Sequence, residues 1–307
     1  MAECATRSVD EARLGSLDAL ELSAAQFARV GRLMYQVCGI ALPPGKEALV
    51  QARLAKRVRA LGLSGFAGYL DYVAHDRSGR ELAGMVDALT THKTSFFREP
   101  PHFDYLQREI VPALRARRRG VRMWSAGCAS GEEAYSLAMV LREALPAANA
   151  AAGREGQEAR EARDVRILAT DVSTRMVAAV RAAVYDEEAV RGVPPRWFRC
   201  YFSPVQQEPS GGGRAVRLYR INDAIRRLVH PARLNLIGPW PMRGPFDAIF
   251  CRNVMIYFDR PIRQALVERF WRLLRPGGHL FVGLSEGLAA VPHAFRYVAP
   301  AIYARDE

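Results

Sequence analysis

VRMWSAGCASGEEAYSLA, residues 121–138, reads as a strand, a glycine-punctuated turn and a helix that opens on acidic residues. Val121 to Ser125 is a short apolar run, and Gly127 and Gly131 permit a turn in which the backbone comes close to a ligand. Ser130 is the expected N-cap, with Glu132 and Glu133 in the first helical turn. This is the strand–loop–helix of a ligand site at the carboxyl end of a parallel strand. It is not a Walker loop, because no GK[ST] follows, and it is not a strict G-x-G-x-x-G. Two carboxylates directly after the turn suit a cation better than a pyrophosphate. S-adenosylmethionine, with a sulfonium, an ammonium and no phosphate, is one such ligand. Taken alone the stretch reads more readily as an ordinary strand-to-helix turn, common in α/β proteins.

The 307 residues allow two domains or one with insertions, and half of them are hydrophobic, enough for a sizeable core. A net charge of +12 favours an acidic partner: nucleic acid, an anionic membrane or an acidic protein surface. The five cysteines are scattered without CxxC spacing, so reduced thiols of a cytoplasmic protein are expected and a zinc site is not. The first 20 residues read as a loose leader without a signal core, and no run of about 18 apolar residues spans a bilayer.

From Ser23 a helix is expected, with Phe27, Val30, Leu33, Met34 and Val37 on one face and Gly39 ending it. Pro43 and Pro44 open the next, which Gly62 stops; its apolar face is Leu49, Leu54 and Val58. Lys46, Arg53, Lys56, Arg57 and Arg59 surround that face without acidic i,i+4 partners. That pattern is read as a solvated face or as a docking surface for an acidic partner. Helices at Phe66–Ala74 and Glu81–Leu89 complete a helical unit over 1–89. The linker 90–101, TTHKTSFFREPP, returns to an aromatic pair and an arginine where a plain connector is Gly/Ser-rich.

A helix follows at 102–117, ending in a basic cluster, and 144–164 reads as an exposed low-complexity loop. Val165 to Thr170 is a second apolar strand, with Asp171 at its tip as a ribose acceptor or a helix cap. Short alternating segments between about 197 and 234, broken by Gly211–Gly213, suggest a small inserted antiparallel sheet that includes the run before Asn235–Leu236. A buried strand from Ala248 to Cys251 carries Arg252 and Asn253 at its carboxyl end, with Tyr257 four residues on. A helix over 261–274, the strand in GHLFVGLSE and one last strand in AFRYVAPAIYAR close the chain.

TTHKTSFFREP, SAGCASGEEAYSLA, ILATDVS, FDAIFCRNVMIYFD and LLRPGGHLFVGLSE occur in one order. Together they resemble the CheR-type chemotaxis-receptor glutamate O-methyltransferases, over nearly the whole chain. The resemblance implies an all-helical N-terminal domain followed, from 102 to 307, by a doubly wound α/β S-adenosylmethionine-dependent domain with a small antiparallel β-subdomain. It implies methylation of glutamates on the cytoplasmic helical region of membrane chemoreceptors, with S-adenosylhomocysteine as by-product, by a monomer that neither enters the membrane nor binds nucleic acid. In some members the β-subdomain binds a receptor's C-terminal peptide.

Carried over by position, the cofactor contacts fall on His92, Thr94, Arg98, Glu133, Asp171, Asn235, Leu236, Arg252 and Asn253, beside the turn glycine Gly127. Arg98 and Tyr257 fall near the transferred methyl, and Arg53, Lys56, Arg57 and Arg59 fall on the receptor-docking helix. His92 departs from the family's usual Asn; a neutral imidazole donates and accepts through different, more distant nitrogens. Lys93 and Ala134 also differ from common choices. A carboxylate acceptor needs no strong base, so alignment is the expected task. Two rivals stand beside this reading: a nucleic-acid methyltransferase, for which the chain lacks interleaved aromatics on its basic face, and a methyl-silent binding protein, for which His92 is the argument.

Overall fold

The computed structural model describes residues 20–117, 119–145, 164–205 and 217–306. The expected leader, nearly all of the 144–164 loop and the Gly211–Gly213 turn lie outside them. The chain divides into two units, Met1–Thr91 and His92–Glu307.

The first unit holds four helices: α1 Ala24–Cys38, α2 Glu47–Ala60, α3 Phe66–His75 and α4 Arg80–Leu89. Ser23 caps α1 in a capping box with Gln26, and Gly39 ends it in the left-handed region. Val30, Met34, Leu54, Val58, Tyr69, Leu70 and Met85 are buried. Two expectations for α2 are corrected. Pro43 and Pro44 precede the helix without entering it, because Gly45 at φ 86° turns the chain first. Leu49 is 44% exposed, and Val50, one position on, takes its place in the core.

The cations of α2 are also less free than their spacing suggests. The Arg57 Nε and Nη2 donate to the Glu81 carboxylate of α4, at 3.0 and 2.5 Å. The Tyr69 hydroxyl donates to Glu81 Oε1 at 2.8 Å. Glu81 is 5% exposed, so the pair is a structural tie between helices, invisible to an i,i+4 search. Arg53 Nη1 donates to the Leu89 and Thr90 carbonyls at 2.8 and 3.2 Å, satisfying the last turn of α4.

The second unit begins with α5 Pro100–Tyr105, a π turn Leu106–Ile110 and α6 Val111–Ala116. Then follow β1 Val121–Ala126, α7 Glu132–Ala144, β2 Val165–Asp171, α8 Thr174–Ala182, β3 Val184–Asp186, α9 Pro195–Tyr201, β4 Phe202–Val205, β5 Leu218–Ile221, α10 Asp223–Arg226 and β6 Val229–Arg233. The last elements are β7 Phe246–Cys251, α11 Arg260–Leu273, β8 Leu274–Val282, β9 Arg296–Ala299 and β10 Ile302–Ala304.

Seven strands form one sheet in the order β6-β2-β1-β7-β8-β10-β9. The first five are parallel; β10 runs antiparallel to β8, and β9 antiparallel to β10. All six residues of β7 are buried. They alternate between two cores: Ala248 and Phe250 pack with Met123 and Leu137, while Ile249 and Cys251 pack with Trp124 and Phe270. That period of two on a strand covered on both faces explains the apolar run Ala248–Cys251.

The inserted sheet is β3-β5-β4, antiparallel throughout. Its membership differs from the expectation. The run at Val229–Arg233 belongs to the large sheet, parallel to β2, and β3 joins the small sheet from ahead of the expected start near 197. The mistake has a physical cause. β6 is an edge strand whose residues are only partly covered, so it alternates like an antiparallel strand; Pro231, which has no N–H to donate, is tolerated at that edge. The last expected strand is likewise a hairpin, turned at Ala301 with φ 60°.

Replacing Glu81 by Ala leaves the Tyr69 hydroxyl and the half-buried Arg57 without their acceptor. The helical unit should lose about 2 kcal/mol, read as a lower denaturation midpoint.

Candidate functional site

The chain leaves β1 for β2 and β6 on one side and returns to β7 and β8 on the other. Ligands of open α/β sheets bind at such a switch point, outside the carboxyl ends of the strands. The polar residues collect there.

Arg252, directly after β7, is the hub; its side chain is 2% exposed. Nη1 donates to Glu133 Oε2 at 3.0 Å, and Nη2 lies 3.0 Å from Glu99 Oε2 and donates to the Arg98 carbonyl. Ser125, in β1, donates to the other Glu133 oxygen at 2.7 Å. Asn253 follows with φ 59°, a conformation asparagine tolerates, and its Nδ2 donates to Glu99 Oε1 at 3.4 Å. Burial pushes the Glu133 carboxyl above the ordinary range, against the opposing pull of Arg252 and Ser125. At Glu99 burial also acts upward, but the Arg252 charge and hydrogen bond outweigh it and leave the carboxyl low. His102 is fully buried with Nδ1 3.5 Å from Glu99. Burial and the Arg252 charge hold it down to about 4, so it is neutral.

Asp171 ends β2. Its Oδ2 accepts from the Ala129 amide at 3.0 Å and its Oδ1 from the Ser173 amide at 2.9 Å, and His92 Nε2 stands 3.7 Å from Oδ1. The acid therefore ties the β1 turn to the start of α8. Ser173, not Asp171, caps α8. The Leu234 amide donates to the Asp171 carbonyl at 3.0 Å, which sets Asn235 and Leu236 at the same sheet edge.

The opening turn is corrected at its cap. Gly131, at φ 100°, is the N-cap of α7, and Ser130 instead donates to the Glu132 carboxylate. Gly127, at φ 83°, packs closely on protein: a Cβ there would overlap the Val254 side chain of the β7 loop.

The structure thus brings together Arg98, Glu133, Arg252 and Asn253 in one cluster, and His92, Asp171 and the Gly127 turn in a second. Thr94 is half-buried in the segment between His92 and Arg98, whose Nη1 donates to the Lys93 carbonyl at 2.9 Å. Tyr257 is half-buried in the turn Met255–Tyr257 after β7. Among the α2 cations, Lys56 and Arg59 are exposed, whereas Arg53 and Arg57 are engaged within the helical unit.

Three participants were not singled out from sequence. Glu99 and Glu286 stand inside quoted motifs, and Ser125 is the next-to-last residue of β1, between Trp124 and Ala126. Glu286, 1% exposed, accepts from the backbone amides of Asn253, Ile256 and Gly283.

Residues 92–303 match the S-adenosylmethionine-binding domain of the CheR methyltransferases, and 25–90 match their all-alpha domain. The chain belongs to the CheR methyltransferase family. It is 39% identical to the probable chemotaxis protein methyltransferase of Rhizobium etli over 88% of this chain and 96% of that one. It is 37% identical to the chemotaxis protein methyltransferase of Escherichia coli over 93% and 92%. The chain is an S-adenosylmethionine-dependent protein-glutamate O-methyltransferase of chemotaxis.

The pocket residues suit that methyl donor. The first turn of α7, where an anion would sit, carries Glu132 and Glu133, so a phosphate is disfavoured and an ammonium favoured. Arg252 Nε is buried with no hydrogen-bond partner among the described residues, leaving a donor for a bound group. Among the described residues no helix is long and apolar enough to cross a membrane.

Gly127→Ala should destabilise the methyltransferase unit by about 2 kcal/mol or more, from the left-handed backbone and the Val254 overlap together. Its thermal unfolding, followed beside the wild-type chain, checks this.

Proposed function

We propose that this CheR methyltransferase binds S-adenosylmethionine between the Arg252 cluster and Asp171, and methylates glutamates on the cytoplasmic helices of chemoreceptors. The observation that carries the site assignment is Glu133, a nearly buried carboxylate held by Ser125 and Arg252 at the switch point. Glu133 receives the donor's ammonium and Asp171 its ribose, with Asn253, Asn235, Leu236, His92 and Thr94 lining the same edge. When bound, the donor supplies an electrophilic methyl on sulfur.

What remains for the chain is placement. A glutamate acceptor is already ionised at neutral pH, so no general base is needed, and the gain comes from alignment and from keeping water out. Arg98 is assigned to the acceptor carboxylate, which its guanidinium can hold by two parallel hydrogen bonds. Tyr257 is assigned as its hydrogen-bonding partner. The protein acts as a cytoplasmic monomer. Where a receptor carries a C-terminal recognition peptide, the β3-β5-β4 sheet is the place assigned to it.

Docking is assigned to α2 through Lys56 and Arg59, the two exposed cations, more than through Arg53 and Arg57. Reversing Lys56 and Arg59 to Glu should raise KM for a receptor fragment about tenfold in low salt, leaving cofactor affinity alone. That defect should shrink as ionic strength passes roughly 0.15 M, where the Debye length is about 8 Å.

The Glu133 role predicts a pH signature. A raised carboxyl takes up its proton at higher pH than an ordinary glutamate, so cofactor affinity should be full above that pH and fall as the solution is acidified through it. Glu133→Gln should weaken S-adenosylhomocysteine by roughly tenfold or more, as for a lost charge-assisted bond of about 1.5–3 kcal/mol, and should remove this dependence. Calorimetry across pH reads both. Tritium transfer to receptor fragments against RNA tests the substrate: label on RNA and not on the receptor would reject the assignment.

A further inference from the structure

Three large apolar side chains described in the methyltransferase unit are more than half exposed: Ile256 and Leu284 at 52% each, and Tyr297 at 60%. Single exposed hydrophobics are ordinary on any surface. Ile256 and Leu284 are not independent, however. The Glu286 Oε2 accepts from the Asn253 and Gly283 amides at 2.5 and 2.7 Å, and Oε1 from the Ile256 amide at 2.9 Å. One buried carboxylate therefore laces the loop after β7 to the loop after β8. Ile256 belongs to the first loop and Leu284, next to Gly283, to the second. Gly283 admits no side chain there, because a Cβ would come within 2.6 Å of both Asn253 Nδ2 and Glu286 Oε2. Tyr297 lies elsewhere, on β9, the outer strand of the sheet.

We propose that Ile256 and Leu284 form an apolar rim that receives the residues flanking the methyl-accepting glutamate on the receptor helix. The inference rests on the receptor-helix substrate assigned above. The acceptor carboxylate is assigned above to Arg98; the next residue, Glu99, accepts from Asn253 Nδ2, and Ile256 is three residues further along that loop. On a helix the neighbours at three and four positions lie about 5–6 Å from the glutamate, so they must settle on whatever borders the site. The border here is aliphatic and tied down by three hydrogen bonds to one carboxylate. A rim already ordered loses little freedom on docking. Its chemistry selects an amphipathic helix whose glutamate is flanked by small or apolar side chains. Phosphate-rich partners gain little from two aliphatic groups.

The test uses the full chain, a purified receptor cytoplasmic fragment and tritiated S-adenosylmethionine. Ile256→Ser and Leu284→Ser should each raise KM for the fragment about fivefold, and the double variant more than tenfold, as for losing buried aliphatic area at a contact. Calorimetric affinity for S-adenosylhomocysteine should stay within about twofold of wild type, which also reports that the variants fold. Tyr297→Ser, equally exposed but distant in the sheet order, should leave KM unchanged. An unchanged KM in the double variant overturns the proposal, as does a cofactor affinity that falls in step with KM, or an equal rise in Tyr297→Ser. If the unaltered chain transfers no label to the fragment, the receptor assignment fails and the rim with it, a result distinct from loss confined to the variants.

Discussion

A guanidinium with 2% of its side chain exposed is tolerable only because acceptors surround it, and Arg252 draws its acceptors from two other parts of the sequence. Glu99 and the Arg98 carbonyl come from the segment before α5, Glu133 from the start of α7, and Arg252 itself from the end of β7. Losing Arg252 would strand two nearly buried carboxylates, at a cost of several kcal/mol in such pairs. The arrangement also carries a surplus: two carboxylates face one guanidinium. Glu133, the one burial raises, is where that surplus is felt. A ligand cation relieves it, and a phosphate would aggravate it. The electrostatics that hold the segments together thus also select the ligand.

The sheet supplies the frame in which this is possible. β1 has β2 on one side and β7 on the other, so the ends of three strands open on a common crevice. Gly127 lets the β1 turn pack directly on Val254 of the β7 loop, and Asp171 binds the same turn through Ala129. Both contacts are made before any ligand arrives. An acid at the second strand tip is usually discussed as a ribose acceptor, yet here two of its lone pairs already serve the backbone. Its mutation would therefore disturb the turn as well as the ligand contact, and a loss of affinity at Asp171 would not by itself measure a hydrogen bond to ribose.

Much of this was legible because it is local. The helix start at Ser23, the apolar run Ala248–Cys251 and the glycine turn after β1 are each written within a few residues. The family motifs carried Glu133, Asp171, Arg252 and Asn253 to one sheet edge, where the structure has them. What escaped is non-local. Arg57 looks unopposed until α4 brings Glu81 to it from 24 residues away. β6 alternates like an antiparallel strand because it is a parallel edge, and only its pairing with β2 reveals that. Pro43 and Pro44 look like a helix start because proline suits a first turn, but Gly45 diverts the chain before α2 begins. Nothing adjacent in sequence marks Glu99 or Glu286, because both find partners in the loop after β7.

The same distinction bears on catalysis. No residue of the Arg252 cluster is tuned as a strong base. His102, the imidazole packed against Glu99, is held near 4 and stays neutral, so it supports Glu99 by packing while adding no charge that would compete with Arg252. For attack by a carboxylate that is already ionised, this is the arrangement the reaction asks for. Rate must come from the angle and distance at which the acceptor meets the methyl, and those are set by how rigidly the loops after β1, β7 and β8 are held. Buried carboxylates secure all three: Asp171 the first, Glu286 the second and third. Acidic residues of this basic protein thus fix backbone at the sheet edge, while the α2 cations Lys56 and Arg59 stay exposed.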